Sequence, residues 1–268
     1  MAYTTIDDPS AYFQNVLWTG DGSAGNAVTF DGNSDMQPDF VWSKRRDVGY
    51  GHVLKDTSRG GTSNNDVHLV SNTTAGDSTY TAYRMDFNSD GFTLDGSGDS
   101  GFQANGTSMV SWSWKANGGT TSTNTDGSTN TTVQANTDAG FSIVTFTTDG
   151  GNETYGHGLG VKPDVVLVKS RSGAGTWIFT TDVIDGSVDY LILNATNAAA
   201  DLSYGAFTSS TFQYNDNNAV TQVAYCFAEK QGYSKFGKYV GNGNTNGAFI
   251  YTGFKPAWVL IKRSDGAT

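Results

Sequence analysis

The stretch Pro38-Asp-Phe-Val-Trp-Ser-Lys44 occurs twice more in altered form, as Pro163-Asp-Val-Val-Leu-Val-Lys169 and as Pro256-Ala-Trp-Val-Leu-Ile-Lys262. Each copy begins with proline, continues mainly through β-branched, aromatic or other large apolar residues, and places lysine six positions later. The copies hold three of the four prolines in the 268 residues. Such self-similarity is typical of a duplicated structural unit, so the sequence predicts a tandem-repeat protein.

The similarity extends beyond the proline phrase. The stretch Phe13–Gly22 matches Phe141–Gly150 in pattern, and Val110–Trp114 matches Val223–Phe227. A third copy begins near Ser234 and continues only a short way past its proline. We therefore expect two full repeats and an incomplete third.

The amino-acid composition predicts an all-β fold. Of the 26 acidic residues, 24 are aspartate and only Glu153 and Glu229 are glutamate. Glutamate favours helices, whereas aspartate competes with the backbone for hydrogen bonds and favours turns. The 34 glycines and the many Asn, Ser and Thr residues also disfavour helices.

Short alternating segments separated by Gly, Asn and Asp turns predict β-sandwiches rather than parallel α/β units. In the first repeat we predict strands at Phe13–Thr19, Asp39–Lys44, Val67–Ser71, Gly91–Leu94 and Ser108–Trp114. In the second we predict strands at Phe141–Thr147, Val165–Lys169, Thr176–Phe179, Tyr190–Asn194, Thr211–Tyr214 and Val220–Ala228. Val165-Val-Leu-Val is apolar on both faces, which indicates a central strand covered on both sides.

The repeats divide the chain into a first β-sandwich repeat (1–117), a polar linker or exposed connection (118–138), a second β-sandwich repeat (139–232) and a partial third repeat (233–268). Val133 is the only sizeable hydrophobe of the linker and could add one edge strand. The partial repeat is expected to form a hairpin of Phe249–Thr252 and Ala257–Lys262. Because a lone hairpin is unstable, it must pack onto the second unit, pair with another chain, or belong to a domain that continues beyond it.

No catalytic, cofactor-binding or metal-binding residues can be assigned, so the sequence predicts a protein that is not an enzyme. His52, His68 and His157 have neither helical spacing nor an adjacent metal-ligand partner. Gly156-His-Gly-Leu-Gly160 leads into a predicted strand and not a helix, which favours a tight connection over a nucleotide loop. The stretches Asn88–Gly91 and Asn124–Gly127 carry oxygen ligands but are expected to be ordinary turns.

Charge and cysteine content exclude further classes of function. The net charge of −10 disfavours nucleic-acid binding, and the basic clusters Lys44–Arg46 and Lys262–Arg263 are expected at strand ends in solvent. The single cysteine, Cys226, is predicted to be a buried structural thiol. Neither a signal peptide nor an apolar run of about 20 residues is present, so export and membrane insertion are not expected.

Aromatic residues are the remaining candidates for recognition. Trp42 aligns with Leu167 and Leu260, and Trp114 with Phe227. Replacement by other large hydrophobes favours packing over sugar stacking. Four tyrosines lie in predicted loops and are candidates for surface recognition, although loop anchoring is favoured for them: Tyr50, Tyr80, Tyr83 and Tyr204.

As a set, several motifs resemble tail-fibre-like and other virion structural proteins of marine bacteriophages, including those that infect cyanobacteria. The resemblance begins with Tyr3-Thr-Thr-Ile-Asp-Asp-Pro-Ser-Ala-Tyr-Phe-Gln14 and covers nearly the whole chain. The other motifs are Asp35-Met-Gln-Pro-Asp-Phe-Val-Trp42, Ser89-Asp-Gly-Phe-Thr-Leu94, Gly156-His-Gly-Leu-Gly160, Ala224-Tyr-Cys-Phe-Ala-Glu229, Gly232-Tyr-Ser-Lys-Phe-Gly237 and Tyr251-Thr-Gly-Phe-Lys-Pro256.

The resemblance implies tandem lectin-like or jelly-roll β-sandwich repeats and a role in the virion, after synthesis in the host cytoplasm. The expected function is a tail fibre or appendage protein for host attachment, acting as a homo-oligomer for which a trimer is the usual fibre form. Its expected partners are other virion proteins, copies of itself and a host-surface glycan or protein, but no receptor-binding residue is identified. The alternatives are a capsid decoration protein and, less favoured, a virion-associated glycan depolymerase.

Overall fold

A computed structural model of the chain describes residues 3–96, 103–203, 205–216 and 218–266. Its all-β fold, built from packed antiparallel sheets, confirms the predicted fold class. The strands of the first unit are β1 (Phe13–Thr19), β2 (Asn26–Val28), β3 (Phe40–Arg45), β4 (Val53–Asp56), β5 (Val67–Val70), β6 (Ser78–Thr79), β7 (Met85–Phe87), β8 (Phe92–Leu94) and β9 (Ser108–Trp114). The helix α1 (Thr57–Gly60) and two 3₁₀ turns, Pro9–Ala11 and Thr81–Tyr83, complete this unit.

The second unit consists of strands and connecting turns. Its strands are β10 (Ser122–Asn124), β11 (Thr131–Asn136), β12 (Phe141–Thr147), β13 (Asn152–Gly156), β14 (Val165–Ser170), β15 (Ile178–Thr181), β16 (Asp189–Ile192), β17 (Ala200–Asp201), β18 (Thr211–Asn215) and β19 (Thr221–Phe227).

The two units share one topology. The large sheet of the first unit has the order β1-β9-β3-β4-β5-β6, and the second has β12-β19-β14-β15-β16-β17 after the two added strands β10-β11. Pairing registers also agree. Phe13 and Phe40 both lie opposite Trp114, while Phe141 and Val165 both lie opposite Phe227. The sequence repeat is therefore also a repeat of strand order and register.

Smaller sheets cover one face of each large sheet. The sheet β2-β8-β7 packs on the first large sheet over a core that includes Val41, Phe92 and Met109. The sheet β13-β18 covers the second around Val166 and Phe212. Both units are thus sandwiches.

A third core joins the two units. It combines residues of β3, β4, β5 and β9 with residues of β12, β14 and β19. At its centre the ring of Phe40 stacks on Tyr225 with centroids 4.3 Å apart. The remaining faces of the two large sheets therefore pack against each other. As predicted, β14 is buried along its whole length, because cores lie on both of its faces.

The segment 118–138 differs from the predicted linker. It supplies β10 and β11, and β11 pairs with β12 from Thr132↔Thr145 to Asn136↔Phe141. Val133 and Gln134 are both buried, and Gln134 Nε2 donates to Thr57 Oγ1 at 2.8 Å. Val133 thus lies in a strand, as the sequence allowed, but β11 is not at the edge of the sheet because β10 pairs outside it. The polar side chain of Gln134 is satisfied by the first unit, which is why the polar composition of this segment did not indicate burial.

The predicted hairpin in the partial third repeat is wrong: no strand lies within the described residues of 233–266. The repeat offset of 93 residues places the equivalents of β12, β13 and β14 at 234–240, 245–249 and 258–263. In the second unit β13 pairs with β18, whereas β14 pairs with β15 and β19. By this offset Phe249–Thr252 corresponds to 156–159, where β13 ends and the connection to β14 begins, and Ala257–Lys262 corresponds to β14. The two segments predicted to form the hairpin are therefore not paired neighbours in this fold.

Candidate functional site

A cavity of about 300 Å³ lies between the first large sheet and the C-terminal segment. Its wall is mostly aromatic, and one part of it comes from the first unit and the other from the partial third repeat. The lining residues are Trp42, His52, Trp112, Ala257, Trp258, Val259 and Leu260.

Strand register places two of the indoles side by side. Trp42 on β3 lies directly opposite Trp112 on β9, and side chains of directly opposed residues project from the same face of a sheet. Trp258 closes the group, with its ring centroid 6.1 Å from Trp42 and 5.2 Å from Trp114. The same pairing that builds the sheet therefore builds the aromatic wall.

His52 is the polar group of this cavity. Its Nδ1 accepts a hydrogen bond from Trp42 Nε1 at 2.8 Å, and its ring stacks on Trp112 with centroids 6.4 Å apart. Burial, and then the charge of Lys44, lower the pKa of His52. The imidazole is therefore neutral at pH 7 with its hydrogen on Nε2. Because no carboxylate or amino group is among the described lining residues, the cavity suits an uncharged ligand with an apolar face.

The predicted packing role of tryptophan holds for Trp42, Trp114 and Trp177, which are buried, although Trp42 also lines the cavity. Trp112 and Trp258 are only half-buried, and sequence reasoning did not identify the cavity that they line. Its two walls lie more than 140 residues apart in the chain. The only sequence signal was that Trp258 occupies a phrase equivalent to the one that carries Trp42.

The three described loop tyrosines do not line this cavity. Tyr50 and Tyr80 are exposed, and the guanidinium of Arg45 lies 5.3 Å from the centroid of the Tyr50 ring. Tyr83 is half-buried against His68, with ring centroids 4.9 Å apart. Tyr204 lies outside the described residues.

The three histidines are separate from one another, and each has a local structural partner. His68 Nδ1 lies 3.4 Å from the carbonyl oxygen of Asp66, and burial lowers its pKa to about 4. His157 accepts a bond from the Leu159 amide at 3.2 Å, and burial lowers its pKa as well. Neither belongs to the cavity.

The glycine-rich and Asn/Asp stretches form connections, as predicted. Gly156-His-Gly-Leu-Gly160 leads into β14, with φ of 70° at both Gly158 and Gly160. Asn88 N donates to Gly91 O at 3.0 Å, and Asp126 N donates to Asn124 Oδ1 at 2.9 Å.

A group of three carboxylates was not anticipated. One oxygen each from Asp185, Asp189 and Asp201 lies within 4.8 Å of the others. Asp189 pairs with Asp201 across β16 and β17, and its pKa is raised by burial and then by Asp185. These are the oxygen ligands that a hard cation such as Ca²⁺ prefers. Sequence reasoning missed the group because strand pairing alone brings Asp201 to it.

A buried polar network crosses between the two units. Arg59 Nε and Nη1 contact Asp56 Oδ2 and Asp77 Oδ1 at 2.6 and 2.8 Å. Asp77 also binds Arg171 Nε at 2.8 Å, and Tyr225 Oη donates to Asp56 Oδ2 at 2.6 Å. The fully buried charges of Asp56 and Arg59 thus neutralise each other. The network orients one unit on the other.

Cys226 lies in the core of the second unit. Burial raises the pKa of its thiol to about 12. The sulfur is therefore protonated at neutral pH, which agrees with the expected structural role.

Comparison with known families gives one match, to a domain of unknown function, DUF7483, over residues 8–268. The chain belongs to the DUF7483 family. Neither the curated proteins nor the solved structures include a significant match. Within the described parts of the chain, no helix has the length and apolar character needed to span a membrane.

The DUF7483 match includes both complete units and the partial third repeat. The aromatic cavity, which requires the first unit and the third repeat together, thus lies wholly inside the matched region.

Proposed function

We propose that the protein is a structural component of a bacteriophage virion, namely a tail fibre or appendage protein that attaches the particle to the host surface. The observation that carries this proposal is the neutral aromatic cavity of Trp42, His52, Trp112 and Trp258. It lies on a body of stacked β repeats, an architecture suited to rigid display. The motifs that resemble marine phage virion proteins support the location in a virion.

The cavity chemistry favours a host-surface glycan as the ligand. A sugar ring presents an apolar C–H face, which packs on indole rings, and hydroxyl groups, which need hydrogen-bond partners. His52 Nε2–H supplies one donor, since Nδ1 already accepts from Trp42. A volume of about 300 Å³ is at the lower end of known ligand sites and fits a single sugar residue. The proposed role is binding and not catalysis.

The shared core supports a display role. Because both large sheets are covered on both faces by packed residues, the two units form one continuous body rather than two loosely tethered domains. A rigid support holds a weak single-sugar site in a defined orientation. Several copies in a homo-oligomer would then bind a glycan-coated surface with higher avidity than one copy.

Location in the particle tests the virion part of the proposal. Gold-labelled antibody against the purified protein should decorate the tail or an appendage of the particles. Decoration of the head would instead support a capsid decoration protein, and absence of the protein from purified particles would contradict the proposal.

Competition for adsorption tests the attachment part. Purified protein should reduce phage adsorption to host cells in a saturable way, whereas Trp112→Ala or Trp258→Ala should weaken this competition at least about tenfold. Trp18→Ala is the matched control, because Trp18 is also a half-buried tryptophan but packs against Phe92 in another core. Equal loss in the control would indicate misfolding, and new reducing ends from host polysaccharide would identify a depolymerase.

A further inference from the structure

The edge of the second large sheet places two carboxylates directly opposite each other. Asp189, the first residue of β16, pairs with Asp201, the last residue of β17. Side chains of directly opposed residues project from the same face of a sheet, and like charges there are destabilising. Asp185, in the turn before β16, adds a third carboxylate, and one oxygen of each residue lies within 4.8 Å of the others. Ser187 N and Oγ hold Asp185 Oδ1 at 2.9 and 2.7 Å.

The shared topology does not require carboxylates at this pair. In the first unit β5 and β6 occupy the positions that β16 and β17 occupy in the second. Val67 pairs with Thr79 there, in the same register as Asp189 with Asp201. An apolar side chain and a hydroxyl therefore serve at the equivalent place. The opposed carboxylates are a feature of the second unit that strand order and register leave unexplained.

Asp189 is buried without a partner for one of its oxygens. The residue is only 3% exposed, and its Oδ2 atom is buried and accepts no hydrogen bond from the described residues. The other two aspartates buried within the described ranges differ, because Asp39 accepts backbone amide bonds and Asp56 binds Arg59. A buried carboxylate oxygen without a partner is costly. The oxygen therefore points to a positively charged partner from outside the chain.

The chain does not supply this partner. Within the part of the chain that the structure describes, no ion pair involves Asp185, Asp189 or Asp201. Lys238 is the cation beside the group, and its Nζ donates instead to the carbonyl oxygen of Ile184. Three carboxylates beside one ammonium leave two negative charges, which a divalent cation would neutralise.

We propose that Asp185, Asp189 and Asp201 bind a calcium ion. Ca²⁺ takes about six to eight oxygen ligands at about 2.3 to 2.6 Å in a flexible geometry. Oxygens that share such an ion lie up to about 5 Å apart, so the spacing of the three carboxylates suits it. Mg²⁺ requires a tighter octahedron with ligands at about 2.0 to 2.1 Å. Asp185 and Asp201 are exposed, so water completes the coordination.

The ion would join the turn that carries Asp185 to the paired strands behind it. β17 is the edge strand of the sheet and pairs with β16 through Asp189↔Asp201 and Tyr190↔Ala200. Bound calcium replaces the repulsion within this short pair by a shared ligand. The site therefore makes the stability of this sheet edge depend on calcium.

Calorimetric titration of the metal-free full chain with Ca²⁺ tests the proposal. The wild type should bind one ion per chain with a dissociation constant below about 1 mM, and Mg²⁺ should bind at least about tenfold more weakly. Asp189→Asn and Asp201→Asn should each weaken Ca²⁺ binding at least about tenfold. Asp126→Asn is the matched control for Asp201, because both are exposed aspartates of the second unit. No binding in millimolar Ca²⁺, equal affinity for Mg²⁺, or an equal loss in the control would overturn the proposal.

Hydrogen exchange locates the ion without any substitution. Ca²⁺ should slow exchange at 185–192 and 200–202 of the wild type and leave the equivalent strands β5 and β6 unchanged. A proton shared between Asp189 and Asp201 is the competing way to relieve their repulsion. In that case Ca²⁺ would leave the exchange rates of both units unchanged, which would contradict a calcium site. These outcomes do not depend on where the protein lies in a particle.

Discussion

At the scale of single residues, Asp39 explains why aspartate follows proline in the complete copies. Its carboxylate accepts bonds from the amides of Ala116, Gly118 and Gly119 and from Thr57 Oγ1, at 2.7 to 3.0 Å. Burial raises the pKa of this carboxyl, and the backbone hydrogen bonds oppose the shift. Asp39 therefore fixes the chain where it leaves β9.

We expect Asp39→Asn to lower the free energy of unfolding by about 2 kcal/mol, because one carboxylate oxygen is replaced by an amide that cannot accept. Asp164→Asn is the matched control. Its carboxylate accepts one backbone bond, from Glu229 at 2.7 Å, which the remaining carbonyl oxygen of asparagine can retain. Urea unfolding measures both variants, and an equal or larger loss at Asp164 would contradict this assignment.

His68 gives the stability of the protein a pH dependence. Burial lowers its folded pKa to about 4, from the ordinary value of 6.5. Between these values the unfolded chain binds a proton that the folded chain does not, so stability falls as the pH falls below 6.5. The lowered pKa of His68 contributes at most about 3 kcal/mol to the free energy of unfolding, since one pKa unit corresponds to about 1.4 kcal/mol.

The difference between the wild type and His68→Gln isolates this effect, because every other titrating group is common to both. From pH 7 to pH 4.5 the wild type should lose about 2 to 3 kcal/mol relative to the variant in chemical unfolding. Parallel stability curves for the two proteins across that range would show that His68 does not titrate as described.

At the scale of elements, the last strand of each unit determines the sheet. β9 lies between β1 and β3, and β19 between β12 and β14. The first strand of each large sheet, β1 or β12, thus pairs with the last strand of its unit, β9 or β19. This order explains why the predicted hairpin does not form, because its two segments correspond to parts of a unit that do not pair with each other.

Amide hydrogen exchange should differ between β14 and the equivalent segment 258–263 of the third repeat. We expect the amides of 258–263 to exchange at least about a thousandfold faster than those of β14 at Val165–Ser170, because a central strand opens only with a large part of the global unfolding free energy. Native-state exchange of the free protein measures both segments. Comparable protection would mean that the third repeat is already paired in solution.

At the scale of the whole molecule, the two units share a core. Phe40 of the first unit contacts both Phe141 and Tyr225 of the second, with ring centroids 6.0 and 4.3 Å away. The network of Asp56, Arg59, Asp77 and Arg171 crosses the same boundary. We therefore expect that neither unit retains its packing when the other unfolds.

Thermal unfolding should therefore be a single cooperative transition in calorimetry. Phe40→Ala should lower the stability of the whole molecule by about 3 to 5 kcal/mol, because it leaves a cavity in the shared core. Leu17→Ala, at an exposed position of β1, should change stability by less than about 0.5 kcal/mol. Two resolved transitions, of which only one shifts in Phe40→Ala, would contradict a shared core.

Period-two alternation and turn residues sufficed to place the long strands. The bounds predicted for Phe13–Thr19, Ser108–Trp114 and Phe141–Thr147 are those of β1, β9 and β12. Short or polar strands such as β2, β7 and β10 were missed. Their few residues carry little alternation, and their stability comes from pairing with distant segments. The cavity was missed for a related reason, because its walls become neighbours only after folding.

The sequence by itself determined the all-β class, the repeat and the inward-facing aromatics, because these follow from local periodicity and from similarity along the chain. Only the tertiary structure decided that both units stack on one core, that the apparent linker pairs with β12, and that the described residues of 233–266 form no hairpin. The physical reason is that backbone hydrogen bonds of a sheet join residues far apart in sequence, and no local pattern specifies which distant strand completes a pair.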